Sequence, residues 1–503
     1  MSIALVLSVL FGYFGLLVMI SWITSRGADN DSYFLGNKRS PWIAVAFGMI
    51  GDSLSGVTFI SVPGNVHYSG FQYMQLVIGY FFGYLFITQV LLPLYYRMNL
   101  TSIYSYLRER IGPNAERTGS IFFLLSRLLG AGGRLYLAAM VFHTFVIQPA
   151  LGPDSNPAFS FILSVTVIIG LILAYTYKGG IKTLVWTDVL QSSVLLLGVI
   201  LSIVAIQKGL KIGFGEMVSK VAEHPYSAMF NWDILAKGNF FKMFIGGALT
   251  AIAMTGLDQN MMQKNLSCKS LPDAQKNIRW FSVVLIVVNL FFLALGVLLY
   301  IYYAQNHVDL PLKPDGKVFS DKVFPNLALN YLGDFAGLVF VMGLAAATFS
   351  SADSVLTTLT TSFYIDILRA DKNEAYDENQ RTKLRQLIHI AFAILLLLVI
   401  VVFYLKNDNA IIDTILMIAG YTYGPLLGLF AFGLYTKRKT RDNLTPIISL
   451  VAPVICYILS MNSKAWFGGY EFGYELLGVN GLLVFLMLLA FSKKDTATAL
   501  KMD

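Results

Sequence analysis

Thirteen apolar windows long enough to cross a bilayer recur along this chain, and that recurrence limits its fold more than any motif does. They fall near 3–24, 42–66, 72–96, 119–147, 158–177, 184–206, 239–263, 280–304, 325–367, 386–405, 409–435, 444–461 and 475–492. A spanning helix needs about 20 predominantly apolar residues. Lipid offers backbone N–H and C=O groups no partner, so each window must satisfy its own hydrogen bonds as a helix. The expected fold is an all-α polytopic membrane protein. Of 503 residues 56% are hydrophobic and only 13% charged, and no segment between the windows is long enough to fold alone. The longest polar connections, 207–238, 305–324 and 369–385, have room for short amphipathic helices. Window 3–24 lacks a basic leader and a small-residue cleavage site, and is expected to be a retained span.

A net charge of +8 would suit nucleic acid if it were spread without regard to sidedness. Most of the 37 Lys and Arg instead fall in loops on the side of the C-terminus. These are Arg26, Lys38 and Arg39; the run from Arg97 to Arg117; Lys178 and Lys182; Lys264, Lys269, Lys276 and Arg279; the basic residues of 369–385 and 437–441; and Lys493, Lys494 and Lys501. By the positive-inside rule the C-terminus is cytoplasmic and the N-terminus outside, in a cell membrane. The charge is therefore topology, which removes nucleic acid as a partner and leaves lipid, an ion and a small solute, with no obligate protein partner evident. Cys268 and Cys456 form no disulfide framework, and the five histidines no metal motif.

One window is crowded with hydroxyls. In 343–368, GLAAATFSSADSVLTTLTTSFYIDIL, helical spacing places Ala347, Ser350 or Ser351, Ser354, Thr357 or Thr358 and Thr361 on one face, beside Asp353. A carboxylate at mid-membrane costs roughly 2.5–3.5 kcal/mol on insertion scales, so it normally faces a wet cavity or a partner charge. Such a face suits a small hard cation, whose water shell hydroxyl, carboxylate and carbonyl oxygens can replace. Without the carboxylate it would equally suit close helix packing.

Two other windows are interrupted. In FGMIGDSLSGVTF, Gly48, Gly51 and Gly56 surround Asp52 and Ser55; in FIGGALTAIAMTGLDQN, Gly246, Gly247 and Gly256 precede Asp258 and Gln259. Glycine with small polar residues at mid-depth marks a helix that breaks where it lines a cavity, or one that packs closely. These windows are the second and the seventh. Five spans apart is the spacing that two inverted five-helix repeats require.

At these residues the chain resembles the sodium/solute symporter family, which includes bacterial sodium/galactose and sodium/sialic acid transporters. The pieces that carry the resemblance are SYFLGNKRSPW, GDSLSGVTFISVPG, YKGGIKTLVWTDVLQ, DQNMMQKNLSCKSLPDAQKN, AAATFSSADSVLTTLTTSFYIDIL and GYTYGPLLGLFAFGLYTKR, spread over nearly the whole length. The resemblance implies a leucine-transporter-like fold in one transport domain, 1–503. That domain would have an extra helix at 3–24, inverted repeats at 42–206 and 239–435, and two helices within 444–492.

It also implies a Na⁺ site made by carbonyls of Gly51, Leu54 and Ala347 with the hydroxyls of Ser350 and Ser351. A second site, present in some relatives, would use Asp188, Ser350, Asp353 and Ser354, with Asp353 standing where the sialic acid relative has serine. Asp188 also suits the first turn of a helix as a dipole partner. For the solute, the resemblance places Ser55, Thr58 and Arg134 around a carboxylate. Arg134 is otherwise explained by an ion pair with Asp52 or by reaching toward an interface, and Arg127 competes for its role. Gln72, Tyr73 and Gln75 begin the next span, as hydrogen-bonding groups for solute hydroxyls or as an interfacial belt. Asp52 and Asp258 are expected as pocket or gate residues.

The expected activity is Na⁺-coupled symport of a small polar solute by alternating access. Sialic acid or another sugar acid or carboxylate is favoured, with a neutral sugar or polyol, or proton coupling, as alternatives. One Na⁺ moving down about 100 mV gains roughly 2.3 kcal/mol, and a tenfold gradient adds about 1.4 kcal/mol. An enzyme is not expected, because no paired aspartyl-protease context accompanies the buried aspartates. The tail after Phe491 is too short for a signalling module.

Overall fold

A computed structural model describes residues 3–26, 30–152, 155–177, 179–406 and 411–494. Lys178 and Lys501 of the sidedness argument, and the first two residues of window 409–435, lie outside the described residues. Every expected span has a counterpart. In chain order these are α1 (Ile3–Thr24), α2 (Trp42–Ser53), α3 (Gly56–Gly64), α4 (Tyr73–Phe86, running on to Arg97), α5 (Pro113–Phe142), α6 (Pro157–Thr176), α7 (Gly180–Leu210) and α8 (Phe240–Ala251). They continue as α9 (Gln259–Leu266), α10 (Leu271–Gln305), α11 (Asp334–Ser362), α12 (Glu378–Lys406), α13 (Ile411–Tyr435), α14 (Thr445–Trp466) and α15 (Leu476–Ala490). The pairs α2/α3 and α8/α9 are single spans bent by 52° and 62°. α15, with 15 residues, is a shorter apolar helix than the unbroken spans.

Local chemistry sets several starts. Asn156 caps α6 by accepting from the N–H groups of Ala158 and Phe159 at 2.9 and 3.3 Å, with Pro157 at the first helical position. Asn239 caps α8 in the same way, through Phe241 and Lys242. The polar connections carry two short helices, Phe214–Glu223 and Ser320–Asn330; the second is a helical approach at the start of window 325–367, separate from α11. A pair of three-residue antiparallel strands, Arg438–Thr440 and Ser492–Lys494, is the exception to an all-helical chain among the described residues.

Burial sorts the helices into interior and rim. In α11 83% of the apolar window is buried, against 28% for α1, α12 and α14, so α11 is the central post. It packs on α7 and α5, and α7 also covers α2. The rim helices turn Phe11, Trp22, Leu398, Leu405, Val454 and Met461 outward, the apolar skin expected where the solvent is lipid.

α4 and α8 meet through glycine. A Cβ on Gly79 would run into the Phe244 carbonyl, one on Gly83 into that of Ala248, and one on Gly247 into that of Leu76. Backbone contact of this kind is how membrane helices gain dispersion energy without a hydrophobic driving force. We therefore predict that Gly79→Ala costs about 1–3 kcal/mol through overpacking. Gly170→Ala on α6, where a Cβ would have nothing within 4 Å, should be neutral to within about 0.5 kcal/mol. Thermal unfolding of the two variants in detergent checks the contrast; equal losses would refute it.

Candidate ion and solute site

The first break follows from backbone geometry. α2 stops at Ser53, Leu54 takes φ −96° and ψ 69°, Ser55 is extended, and the helix restarts at Gly56. Carbonyls at the end of α2 thereby lose their intrahelical partners. The central post faces this point. A Cβ on Gly51 would sit 2.5 Å from Ser350 Oγ and 2.6 Å from Ser192 Oγ, and one on Gly56 would sit 3.0 Å from Thr348 Oγ1. Glycine is thus required where hydroxyls approach the broken backbone. Ala347, Ser350 and Ser351 are buried on the same face of α11, with the Ser351 hydroxyl donating to the Ala347 carbonyl at 3.1 Å. The two oxygen-rich stretches therefore meet. Ser192 of α7 joins them and was not singled out from sequence.

Further along α11 the hydroxyl row meets α9. Thr358 donates to Asn260 Oδ1 at 2.8 Å, and Gln263 Nε2 donates to Thr361 Oγ1 at 3.2 Å. α9 carries five polar residues among its eight and is fully buried, so its neighbours must satisfy them. Lys264, placed by sequence in an inner loop, is in fact on α9 and has no solvent exposure. Its Nζ lies 2.7 Å from Asp52 Oδ2 and 2.5 Å from Asp188 Oδ2. This contact had no position in the sequence reading, although the cluster of polar residues directly after the break, Gln259, Asn260, Gln263, Lys264 and Asn265, was the available sign.

The two aspartates proposed for a second ion have different surroundings. Asp188 holds Lys264 and also accepts from Ser350 Oγ at 3.2 Å. α7 begins at Gly180, so Asp188 is two turns inside the helix and its explanation as a first-turn acid fails. Asp353 accepts from Tyr175 Oη at 2.9 Å and Gln191 Nε2 at 3.2 Å on one oxygen. Its other oxygen accepts from the Ser354 N–H and hydroxyl at 2.6 and 3.2 Å. Among the described residues, no three acidic, histidine or cysteine side chains gather as a metal cluster.

Beside the first break lies a cavity of about 110 Å³ lined by Asp52, Ser55, Thr58, Tyr73, Arg127, Arg134 and Asn289, among others. A wider vestibule of about 570 Å³, lined by Ser61, Asn65, Gln72 and Tyr421, shares Tyr73 and Thr250 with it. Arg134 lines the inner cavity and makes no hydrogen bond or ion pair among the described residues, so the expected alternative of an Asp52 pair is not what the structure holds. Asp52 Oδ1 and Asn289 Oδ1 are buried without partners on the same wall. Asn289 was missed because one amide in an apolar run reads as part of a span.

Three expectations are corrected. Gln75 does not reach a cavity: it is buried, donating to the carbonyls of Gln72 and Gly238 at 3.2 and 3.1 Å and accepting from the Asn231 N–H at 3.2 Å. Asp258 does not line the pocket either. Its Oδ2 takes Arg127 Nε and Tyr423 Oη, both at 2.5 Å, and its Oδ1 caps α9 through the Met261 N–H. Arg127, although it borders the cavity, is thereby neutralised and ceases to compete with Arg134. Gln72 and Tyr73 do line the path to the site.

A helical membrane bundle whose two broken spans enclose an oxygen-lined patch and a polar cavity is a secondary transporter in architecture. The family model "sodium:solute symporter family" matches residues 33–443, and the chain belongs to that family. It is a Na⁺-coupled symporter rather than an enzyme. The sodium/sialic acid symporter NanT of Aliivibrio fischeri is 25% identical over 457 residues, covering 89% of this chain and 86% of that protein. SiaT of Proteus mirabilis is 24% identical, covering 88% of each. The human sodium-coupled monocarboxylate transporter 1 is 24% identical over 87% of this chain and 68% of its own. Among solved structures, a Na⁺-coupled sialic acid symporter in a substrate-bound, outward-open state superposes with a TM-score of 0.79 at 20% identity, over 97% of this chain and 99% of that one. A transporter of the nucleobase-cation-symport-1 family gives 0.55 at 15% identity, over 92% and 94%. The fold is accordingly leucine-transporter-like, with two inverted five-helix repeats.

The Arg127–Asp258 pair yields a stability prediction. Asp258→Asn keeps the cap on α9 but strands a buried guanidinium, which costs about 3–5 kcal/mol. Adding Arg127→Met should restore most of the melting temperature in detergent. A double variant no more stable than Asp258→Asn would show that the pair is not what holds these helices.

Proposed function

We propose that this symporter carries a small hydroxylated carboxylate, sialic acid or another sugar acid, with Na⁺. The observation that carries this is Arg134. A half-buried cation inside the bundle without a partner is costly, and a bidentate carboxylate is the complement of a free guanidinium. The same cavity presents the hydroxyls of Ser55 and Thr58 and the bare acceptors Asp52 Oδ1 and Asn289 Oδ1. One donor fork and two acceptors suit a solute with an acidic end and hydroxyl donors. The names of the sialic acid and monocarboxylate relatives support the same class.

Na⁺ is assigned to the carbonyls of Gly51, Leu54 and Ala347 with the hydroxyls of Ser350 and Ser351. An ion there ties the broken helix to the central post and thereby favours the state open to the vestibule. Solute then binds against Arg134, and the two broken spans rock inward. Coupling requires only that Na⁺ bind the two states unequally. The rocking halves belong to repeats bounded near 42–206 and 239–435.

Two experiments test this. Arg134→Ala should weaken binding of an acidic sugar by about 10–100-fold, the worth of charge-assisted hydrogen bonds at 1.5–3 kcal/mol, and leave weak binding of the matched neutral sugar unchanged. Calorimetry in Na⁺ reads both, and an unaltered affinity for the acid excludes the clamp. For sidedness, a green fluorescent protein fused at the C-terminus should fluoresce and alkaline phosphatase there should be inactive, with the reverse at the N-terminus; the opposite pattern overturns the orientation.

A further inference from the structure

A lysine ammonium is buried beside the residues to which Na⁺ is assigned. Lys264 Nζ is held between Asp52 on α2 and Asp188 on α7, at 2.7 and 2.5 Å, with every participant buried. Two carboxylate oxygens from different helices converge on one positive centre, as they would on a bound metal ion. Asp188 is also joined through Ser350 to the Na⁺ patch, so the ammonium is adjacent to the ion that we assign there.

We propose that the Lys264 ammonium is a built-in cation that takes the place of a second transported Na⁺, so that this symporter binds and moves one Na⁺ per solute. This inference rests on the Na⁺ site proposed above. Three observations support it. Gly48 brings α2 against Asp188, where a Cβ would lie 3.1 Å from Asp188 Cβ and Oδ2, which leaves the carboxylate enclosed by helix and ammonium. Asp188 lines neither the inner cavity nor the vestibule, and its link to the cavity wall runs through the Lys264 ammonium to Asp52. Asp353, the other carboxylate near this position, has both oxygens taken by four donors from Tyr175, Gln191 and Ser354. Both oxygens are thus satisfied by protein donors.

The ammonium differs from an ion in one respect that matters for transport. It is tethered to α9 and cannot dissociate into the cytoplasm, so it neutralises Asp188 in every state without drawing on the Na⁺ gradient. It also links halves of both broken spans, α2 and α9, to the scaffold helix α7.

Equilibrium binding of ²²Na⁺ to the purified full-length chain in detergent, without solute, tests this. The wild type should bind one Na⁺ per chain with a Hill coefficient near 1. Two Na⁺ per wild-type chain overturns the inference, whereas none at all overturns the Na⁺ site on which it rests. Lys264→Met empties the position while keeping side-chain length, and should raise the count to two; a folded Lys264→Met chain that still binds one Na⁺ makes the lysine a structural ion pair only. The double variant Asp188→Asn with Lys264→Met removes both charges and should return the count to one, and a count of two there would place the extra ion elsewhere. A wild-type count of two overturns the inference whether or not either variant folds.

Discussion

Lipid gives a broken helix nothing to bond with, and the architecture is organised around that constraint. The breaks at Leu54–Ser55 and Leu257–Asp258 release backbone groups at mid-membrane. Such backbone survives only where protein or water encloses it. The most buried of the long spans, α11, therefore stands against the first break with its hydroxyl row, and continues along α9 after the second. The cavity is lined from both bent spans, by Asp52, Ser55 and Thr58 at the 52° bend and by Thr255 and Met261 at the 62° bend.

Buried charge obeys a parallel rule. Arg127 is answered by Asp258, and Lys264 by Asp52 and Asp188, all nearly devoid of solvent. Nearer the surface Glu116 accepts both Arg108 and Arg369, at 3.0 and 2.5 Å. Pairing of this kind is poor evidence for stability, since desolvation offsets much of the attraction. It is informative by subtraction: once each pair is assigned, Arg134 is left facing a cavity. In the function proposed above, the carboxylate of the solute supplies that counter-charge.

The parts are suited to motion of helices rather than of loops. α2 and α9 touch each other and are joined by the Lys264 contacts, while α7 and α11 hold the opposite wall. Packed interfaces shift between discrete arrangements rather than deform continuously, so an ion that bridges Gly51 and Ser350 acts on the equilibrium between two packings.

Much of this was legible in the chain before its structure. The spans had to be apolar runs, because lipid imposes that composition on any helix that crosses it, and the two interruptions were marked by Gly48, Gly51 and Gly56 and by Gly246, Gly247 and Gly256. The hydroxyl row from Ala347 to Thr361 and the lone Arg134 were visible for the same reason, as polar groups where polarity is costly. What sequence could not decide was which charge meets which. Lys264 and Asp188 stand 76 residues apart, and a lysine after DQNMMQ looks like an inner loop until α9 is seen folded back into the bundle. Gln75 and Asp258 carried the right chemistry for a pocket but are turned to the Asn231 loop and to Arg127, and Asn289 was hidden within its apolar run. A polar residue in a span announces that it needs a partner, since its own helix determines its cost; the partner lies on another helix, and only tertiary packing brings the two together.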